Sequence, residues 1–328
     1  MKTKSLLLGV ASALTMTTAL HAERASDGNV GIIYWQAPSI LNPYLSGGTK
    51  DIESSSLVIE ALGGYDPTGA MYARLAADIP TVANGGISGD LTSITWKLKP
   101  GVMWSDGTPF TSADVVFTAD YCIGEPGCYQ EAKFEGVKSI DAIDDLTVKI
   151  TFENPMPNPY GPFVGSQTPI LQKAQFQNCT GTKRQECTTE NFGPIGTGPF
   201  VVTDFKPNDV IQMKANEKYR EAGKPRFATL VFKGGGDAAG AGRAVMETGE
   251  YDHAWNLQLA PEVIKQMAEG GKGKPVSGFS TAVERLEMNM TNPSADLDAD
   301  TRSTRKAAHP FLTDMAVRKA LSMAIDRV

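Results

Sequence analysis

The sequence predicts a mixed α/β protein, and three observations lead there. Several short segments alternate apolar and polar side chains with the period of two that half-buries a strand. Others repeat apolar residues at helical spacing. A glycine-rich run, Gly234-Gly235-Gly236-Asp237-Ala238-Ala239-Gly240-Ala241-Gly242-Arg243, follows one such strand and opens a helix. With 328 residues, 41% of them hydrophobic, the chain is long enough for two cores.

Residues 31–35 (Gly-Ile-Ile-Tyr-Trp) form a first strand, followed by Leu41-Asn42-Pro43-Tyr44. Apolar positions 57, 58, 61 and 62 predict a helix over 54–62 that stops at Gly63-Gly64. From 65 to about 188 the chain reads as β-rich, with helices at 112–121 and 169–177. Within it, Thr95 to Leu98 alternate in polarity, Pro100-Gly101 breaks the run, and Val102-Met103-Trp104 resumes it. Asp106-Gly107 makes a tight turn, because glycine accepts positive φ at little steric cost. Thr111 or Ser112 then caps a helix. Pro155, Pro157, Pro159 and Pro162 punctuate an extended loop.

Residues 200–205 and 210–214 form two paired strands around a Lys-Pro-Asn-Asp turn, and 229–232 another strand that ends at Gly234. A helix is expected over 243–248, a short segment at 254–257, and a helix at 261–268 opened by Pro261. Residues 285–289 alternate like a final strand. The last helix, 314–327, places Val317, Leu321, Ala324 and Val328 on one buried face.

The first 22 residues read as an export signal rather than structure. Lys2 and Lys4 precede an apolar stretch too short to span a bilayer, and Leu20-His21-Ala22 suits cleavage after Ala22. No cysteine lies near that site to take a lipid anchor, and direct membrane insertion is not expected. Cleavage removes two lysines and no acid, shifting the net charge from −6 to −8. That balance excludes nucleic acid, whose phosphates demand a basic footprint. Export favours oxidised cysteines. Two local bridges, Cys122 with Cys128 and Cys179 with Cys187, are preferred to crossed pairing, free thiols or a zinc site, whose usual two-to-four-residue gaps are absent.

Catalytic readings are poorly supported. The chain has three histidines, one of them inside the export signal, and no metal-binding His or Cys spacing. It has no G-x-S-x-G elbow, and Asp144-Asp145 suits a turn better than a glycosidase acid pair. The glycine-rich run lacks the lysine and hydroxyl of a phosphate loop, so a structural turn is preferred there. No cofactor and no metal are expected.

The order Trp96-Lys97-Leu98-Lys99-Pro100-Gly101-Val102-Met103-Trp104-Ser105-Asp106-Gly107-Thr108-Pro109-Phe110 resembles the signature of the family 5 extracellular solute-binding proteins, the periplasmic peptide and nickel receptors of ABC importers. Further landmarks follow in order. They are Gly196-Thr197-Gly198-Pro199-Phe200, Asn216-Glu217-Lys218-Tyr219, Gly249-Glu250-Tyr251-Asp252, and a last group of Phe311-Leu312-Thr313-Asp314, Val317-Arg318-Lys319-Ala320 and Ala324-Ile325-Asp326-Arg327.

The resemblance implies a two-lobed α/β fold of the periplasmic binding protein type. Lobe I takes residues 23–64 and 189–290, a β-rich subdomain is inserted at 65–188, and an incomplete lobe II begins at 291. A C-terminally truncated receptor, binding ligand weakly by itself, is expected on that basis. The implied function is capture of short peptides in the periplasm for an ABC permease in the inner membrane, by a monomer, without covalent chemistry. Other cargo (nickel chelate, oligosaccharide or opine) fits the same family, and an exported hydrolase is the reading from another class.

Ligands of open α/β sheets sit outside the carboxyl ends of strands, where Tyr34, Trp35, Trp255, Asn256 and Gln258 are expected to emerge. Indoles offer flat apolar area, and amides match a peptide main chain. A core position is the competing reading for Trp35 and Trp255, and packing the preferred one for Trp96 and Trp104. Arg285 is a candidate clamp for a ligand carboxylate, against the plainer reading of an exposed ion pair. Asp314 is expected to cap the last helix.

Overall fold

The structure, a computed structural model, describes residues 28–278 and 285–326. The expected export signal at 1–22 lies outside them, as does Val328. Two compact units divide the chain at residues 275 and 276.

In chain order the first unit contains β1 (Asn29–Tyr34), α1 (Thr49–Ser55), β2 (Gly63–Tyr65), β3 (Met71–Ala73), β4 (Ser93–Lys97), α2 (Ser112–Asp120), β5 (Val137–Asp144) and β6 (Thr147–Phe152). It continues with α3 (Lys173–Phe176), α4 (Thr188–Phe192), β7 (Phe200–Lys206), β8 (Val210–Ala215), β9 (Thr229–Gly234), α5 (Ala238–Met246), β10 (His253–Trp255) and α6 (Pro261–Ala268). The second contains α7 (Met315–Ala324).

A five-stranded sheet has the order β10-β1-β9-β8-β7. β1 runs parallel to both β10 and β9, while β9, β8 and β7 form an antiparallel meander. A strand covered on both faces needs a continuous apolar run rather than alternation, which Val30 to Tyr34 provides. Ile33 packs on Ala241, Ala244 and Val245 of α5, whereas Tyr34 points into the main core. The second sheet, β4-β6-β5, is antiparallel. There alternation does apply: Ile94 and Trp96 of β4 and Val148, Ile150 and Phe152 of β6 are buried, and α2 lies against β5 and β6.

Around Asp106-Gly107 the expected turn forms, with Gly107 at φ +87° and Trp104 N–H donating to Thr108 O at 2.8 Å. Residues 102–104 do not resume a strand; their pairing is limited to one bridge between Met103 and Pro109. Thr111 precedes α2, and its N–H donates to Asp114 Oδ2 at 3.0 Å. Trp104 Nε1 donates to the same carboxylate at 3.3 Å, and Lys173 N–H to its other oxygen at 2.9 Å. Burial pushes the Asp114 carboxyl above its usual range, although these donors pull the other way. Trp96 and Trp104 are both packing residues, fully buried. The cysteines pair as 122–128 and 179–187, with Cα separations of 5.4 and 5.9 Å.

Three helix expectations need correction. Residues 56–62 do not continue α1, although Val58, Ala61 and Leu62 are buried as their spacing required. Their backbone is taken by distant partners instead. Leu57 O and Val58 O accept from Phe200 and Gly198, and Glu60 O from Ile170, at 2.8 to 3.1 Å. Long-range pairing wins because each of those donors would otherwise be buried without an acceptor. The predicted 169–177 helix shrinks to α3 for the same reason: Ile170 and Leu171 donate to Glu60 O and Thr118 Oγ1. The helix predicted from Arg243 opens five residues earlier, where the Asp237 side chain caps it by accepting from Gly240 N–H at 2.6 Å.

In the second unit, residues 285–289 form no strand; nearby pairing is confined to a bridge between Thr291 and Ala308. Asp314 does cap α7, accepting from Ala316 N–H at 2.7 Å. The expected buried face of α7 is absent. None of its residues is buried, and Leu321 is 44% exposed. Spacing gives the helix an apolar stripe, but the second unit supplies no layer to cover it.

Gly196 and Gly198 run against the backbone of Val58. A methyl at Gly196 would sit 1.8 Å from Val58 O. Beside them Glu60, 4% exposed, accepts from Thr197 Oγ1 at 3.1 Å and from both terminal nitrogens of Arg220, Nη2 at 3.0 Å. Two expectations follow for urea unfolding monitored by circular dichroism. Gly196→Ala lowers stability by about 3 kcal/mol or more, because backbone rather than a flexible side chain must yield. Arg220→Met costs about 3 kcal/mol by stranding a buried carboxylate, and adding Glu60→Gln restores part of the loss.

Candidate ligand-binding site

β9, β1 and β10 are parallel and in register, so their carboxyl ends meet at one edge, with Tyr34 opposite both Gly234 and Trp255. In open α/β sheets this edge is where ligands bind. The glycine run is explained by close approach here. A methyl at Gly234 would lie 2.3 Å from Ala37 Cβ, and Gly235 N–H donates to Tyr34 O. The α5 N-terminus is occupied by the Asp237 carboxylate, which would repel a phosphate.

Tyr34 is 5% exposed. Its ring meets Phe232 edge-on at 4.6 Å and stacks on Trp255 at 5.1 Å. Its hydroxyl donates to Glu53 Oε2. Burial first, then the Glu53 carboxylate, hold the phenol far above its ordinary pKa, so it stays a donor. Trp35 and Trp255 are half-buried, and Trp255 also packs against the main core. Asn256 is exposed in the left-handed region at φ +52°, and Gln258, also exposed, donates its N–H to Asn256 O at 2.8 Å.

The strand edge thus gathers five of the six residues singled out from sequence. Arg285 belongs to the second unit, where its guanidinium pairs with Glu287 at 2.7 Å and both side chains are 72% exposed. That is the plainer of the two readings considered for it.

One functional candidate escaped the sequence. Glu53 of α1 lies on the wall of a cavity of about 410 Å³, together with Thr49, Ile52, Tyr65, Tyr160 and Gln167. Only the hydrogen bond from Tyr34, nineteen residues upstream, marks Glu53 out, and no local pattern carries that pairing. Among the described residues the one grouping of metal-type side chains is Cys179, Cys187 and Glu190, and both sulfurs are already spent in a disulfide.

Comparison with known proteins now bears on this geometry. The model for the middle region of bacterial extracellular solute-binding proteins, family 5, matches residues 72–328. Glutathione-binding protein GsiB of Pectobacterium atrosepticum is 26% identical over 257 residues, covering 78% of this chain and 47% of GsiB. The crystal structure of the ABC transporter substrate-binding protein CtaP of Listeria monocytogenes shares the fold with a TM-score of 0.62 at 23% identity, over 74% of this chain and 47% of CtaP. The oligopeptide-binding protein AppA of Bacillus subtilis, solved with a nonapeptide, gives 0.58 at 28% identity over 68% and 43%. The chain spans about half the length of the curated relatives it matches. Its fold is that of the periplasmic binding proteins, and it belongs to the bacterial extracellular solute-binding proteins of family 5.

Proposed function

We propose that this chain captures short peptides for an ABC importer, holding them at the carboxyl ends of β9, β1 and β10 and leaving them chemically unchanged. Export through residues 1–22 delivers it to the periplasm, where it acts as a monomer and hands its cargo to an inner-membrane permease. The observation that carries the reading is the strand edge itself. Half-buried Trp35 and Trp255 stand there beside exposed Asn256 and Gln258, in a chain of this family. The indoles supply flat apolar area for side chains, and the amides both donate to and accept from a peptide main chain. Tyr34 acts from beneath, buttressing Trp255. GsiB, a glutathione-binding protein, and AppA, an oligopeptide-binding protein solved with a nonapeptide, support a peptide cargo. Residues 65–188 would form the inserted subdomain and 291 onward the start of the second lobe.

Titration of residues 23–328 with glutathione and with di- to nonapeptides, read by tryptophan emission, tests the proposal. Peptides are expected to change the emission saturably, whereas a nickel–histidine chelate, an oligosaccharide and an opine leave it unchanged. Trp255→Leu should weaken peptide binding by about 2 kcal/mol, roughly thirtyfold. A response to one of the other solutes alone would reassign the cargo. Cleavage of the peptides during incubation would replace the receptor reading with a hydrolase.

A further inference from the structure

The two disulfides differ in their surroundings. Cys122 and Cys128 are both buried, and the acid in their loop, Glu125, pairs with Arg184 at 3.5 Å. Cys179 is buried too, but Cys187 is half-buried and precedes α4, whose first turn carries Glu190. Both sulfurs and a carboxylate oxygen of Glu190 lie within 4.8 Å of one another. Among the described residues that carboxylate has no hydrogen bond and no ion pair. Beside an intact bridge it completes nothing.

The loop that carries these donors has supports besides the bridge. Arg184, 4% exposed and within the loop, donates to Gly181 O, Tyr121 O and Pro126 O at 2.8 to 3.0 Å. Its own carbonyl accepts from Asn191 Nδ2 at 2.7 Å, and Asn191 is held in turn by Asn42. Cys179 N–H donates to Phe176 O at 2.8 Å, and Cys187 O accepts from Asn191 N–H at 3.0 Å. Reduction therefore leaves two thiols on a pinned backbone, their Cα atoms 5.9 Å apart. Side-chain rotation is enough to bring such sulfurs to the roughly 3.8 Å separation set by a tetrahedral zinc with Zn–S of about 2.3 Å. Short gaps between cysteines, usual in zinc sites, are absent from the chain. Two residues separate Cys187 from Glu190, however, so the carboxylate supplies the near partner.

We infer that Cys179, Cys187 and Glu190 form a redox-gated site for a thiophilic divalent cation of the zinc type, closed while the bridge is intact and opened by its reduction. The inference goes beyond peptide capture and does not depend on it. Half-buried Cys187 is the sulfur that an incoming reductant reaches. A dithiol or a phosphine supplies two electrons, the S–S bond breaks, and each sulfur takes up a proton. The dithiol ends as a cyclic disulfide, or the phosphine as its oxide with oxygen from water. The cation then displaces both thiol protons to solvent and forms two metal–sulfur bonds, with Glu190 as third ligand and water in the fourth position. Two thiolates select zinc or cadmium over magnesium and calcium, which prefer oxygen ligands.

The test reads cadmium through the ultraviolet charge-transfer band of its thiolate bonds, on residues 23–328 reduced with a phosphine. Alkylation followed by mass mapping shows which cysteines are freed. The reduced chain should bind a single cadmium ion that zinc displaces and magnesium does not, and bound metal should shield Cys179 and Cys187 from alkylation. The untreated chain should give no band. Glu190→Gln should weaken cadmium binding at least about tenfold while the same thiols are freed, a split that lost folding would not give. Unchanged affinity in Glu190→Gln overturns the three-donor site, as does shielding of Cys122 and Cys128 instead. Absence of the band in the reduced chain overturns the inference outright. Loss of the folded circular-dichroism signal on reduction does the same, because the loop is then not pinned without its bridge.

Discussion

A buried carboxylate organises the first unit. Glu60 is held by Arg220 and Thr197, and the chain on either side of it donates and accepts across three remote segments. An ionised group in this position is tolerated only with its charge matched and its lone pairs filled. The geometry that satisfies it therefore has to bring Gly196 to Pro199, Tyr219-Arg220 and Ile170 to the same place. Asn216 reinforces this, donating its N–H to Pro199 O and its side-chain amide to Gly198 O, both at 2.8 Å. Ser105 N–H reaches Gly196 O at 2.9 Å, which ties in the tight turn at Asp106-Gly107. Segments far apart in the chain thus share one polar node inside an otherwise apolar core.

A second node sets the strand edge. The Asp252 side chain accepts from Gly31 N–H at 2.8 Å, while Asp252 N–H donates to Gly31 O at 2.8 Å, and the Tyr251 ring stands against Gly31 where a side chain would collide. This clamp sets β10 beside β1, and the register carries Trp255 to Tyr34. The Gly-Glu-Tyr-Asp landmark is therefore a device for parallel pairing, and the indole beyond it inherits its position from the clamp.

Much of this was legible in the residues, and the part that was not has a physical reason. The pairing of β7 with β8, the strand β9, the helix opened by Pro261 and the Asp314 cap depend on local alternation, turn chemistry and capping, and each formed as read. Residues 56–62 and 169–172 were misread as helical because apolar residues report burial, whereas much of their backbone pairs with remote segments, Leu57 with Phe200, Glu60 with Ile170 and Leu171 with Thr118. Glu53 was overlooked because a carboxylate in a short helix looks like solvated surface until Tyr34 is folded onto it. Tyr34 itself was correctly placed at a strand end, but period and spacing cannot say whether a terminal ring faces ligand or lies beneath the residue that does.

The displaced phenols of the first unit act as structural posts. Tyr44 is raised by burial, and its hydroxyl donates to Pro169 O at 2.7 Å. Tyr121, pushed up to about 12 by burial, accepts from Asn42 Nδ2 at 3.1 Å, and that amide also bridges to Asn191 at 2.9 Å. Each such phenol stays protonated across the physiological range and works as a fixed hydrogen-bonding post. Here burial drives the phenols away from neutrality and locks them to backbone and amides. Such posts fix the packing around them, holding Pro169, Asn42 and Asn191 in register within the main core.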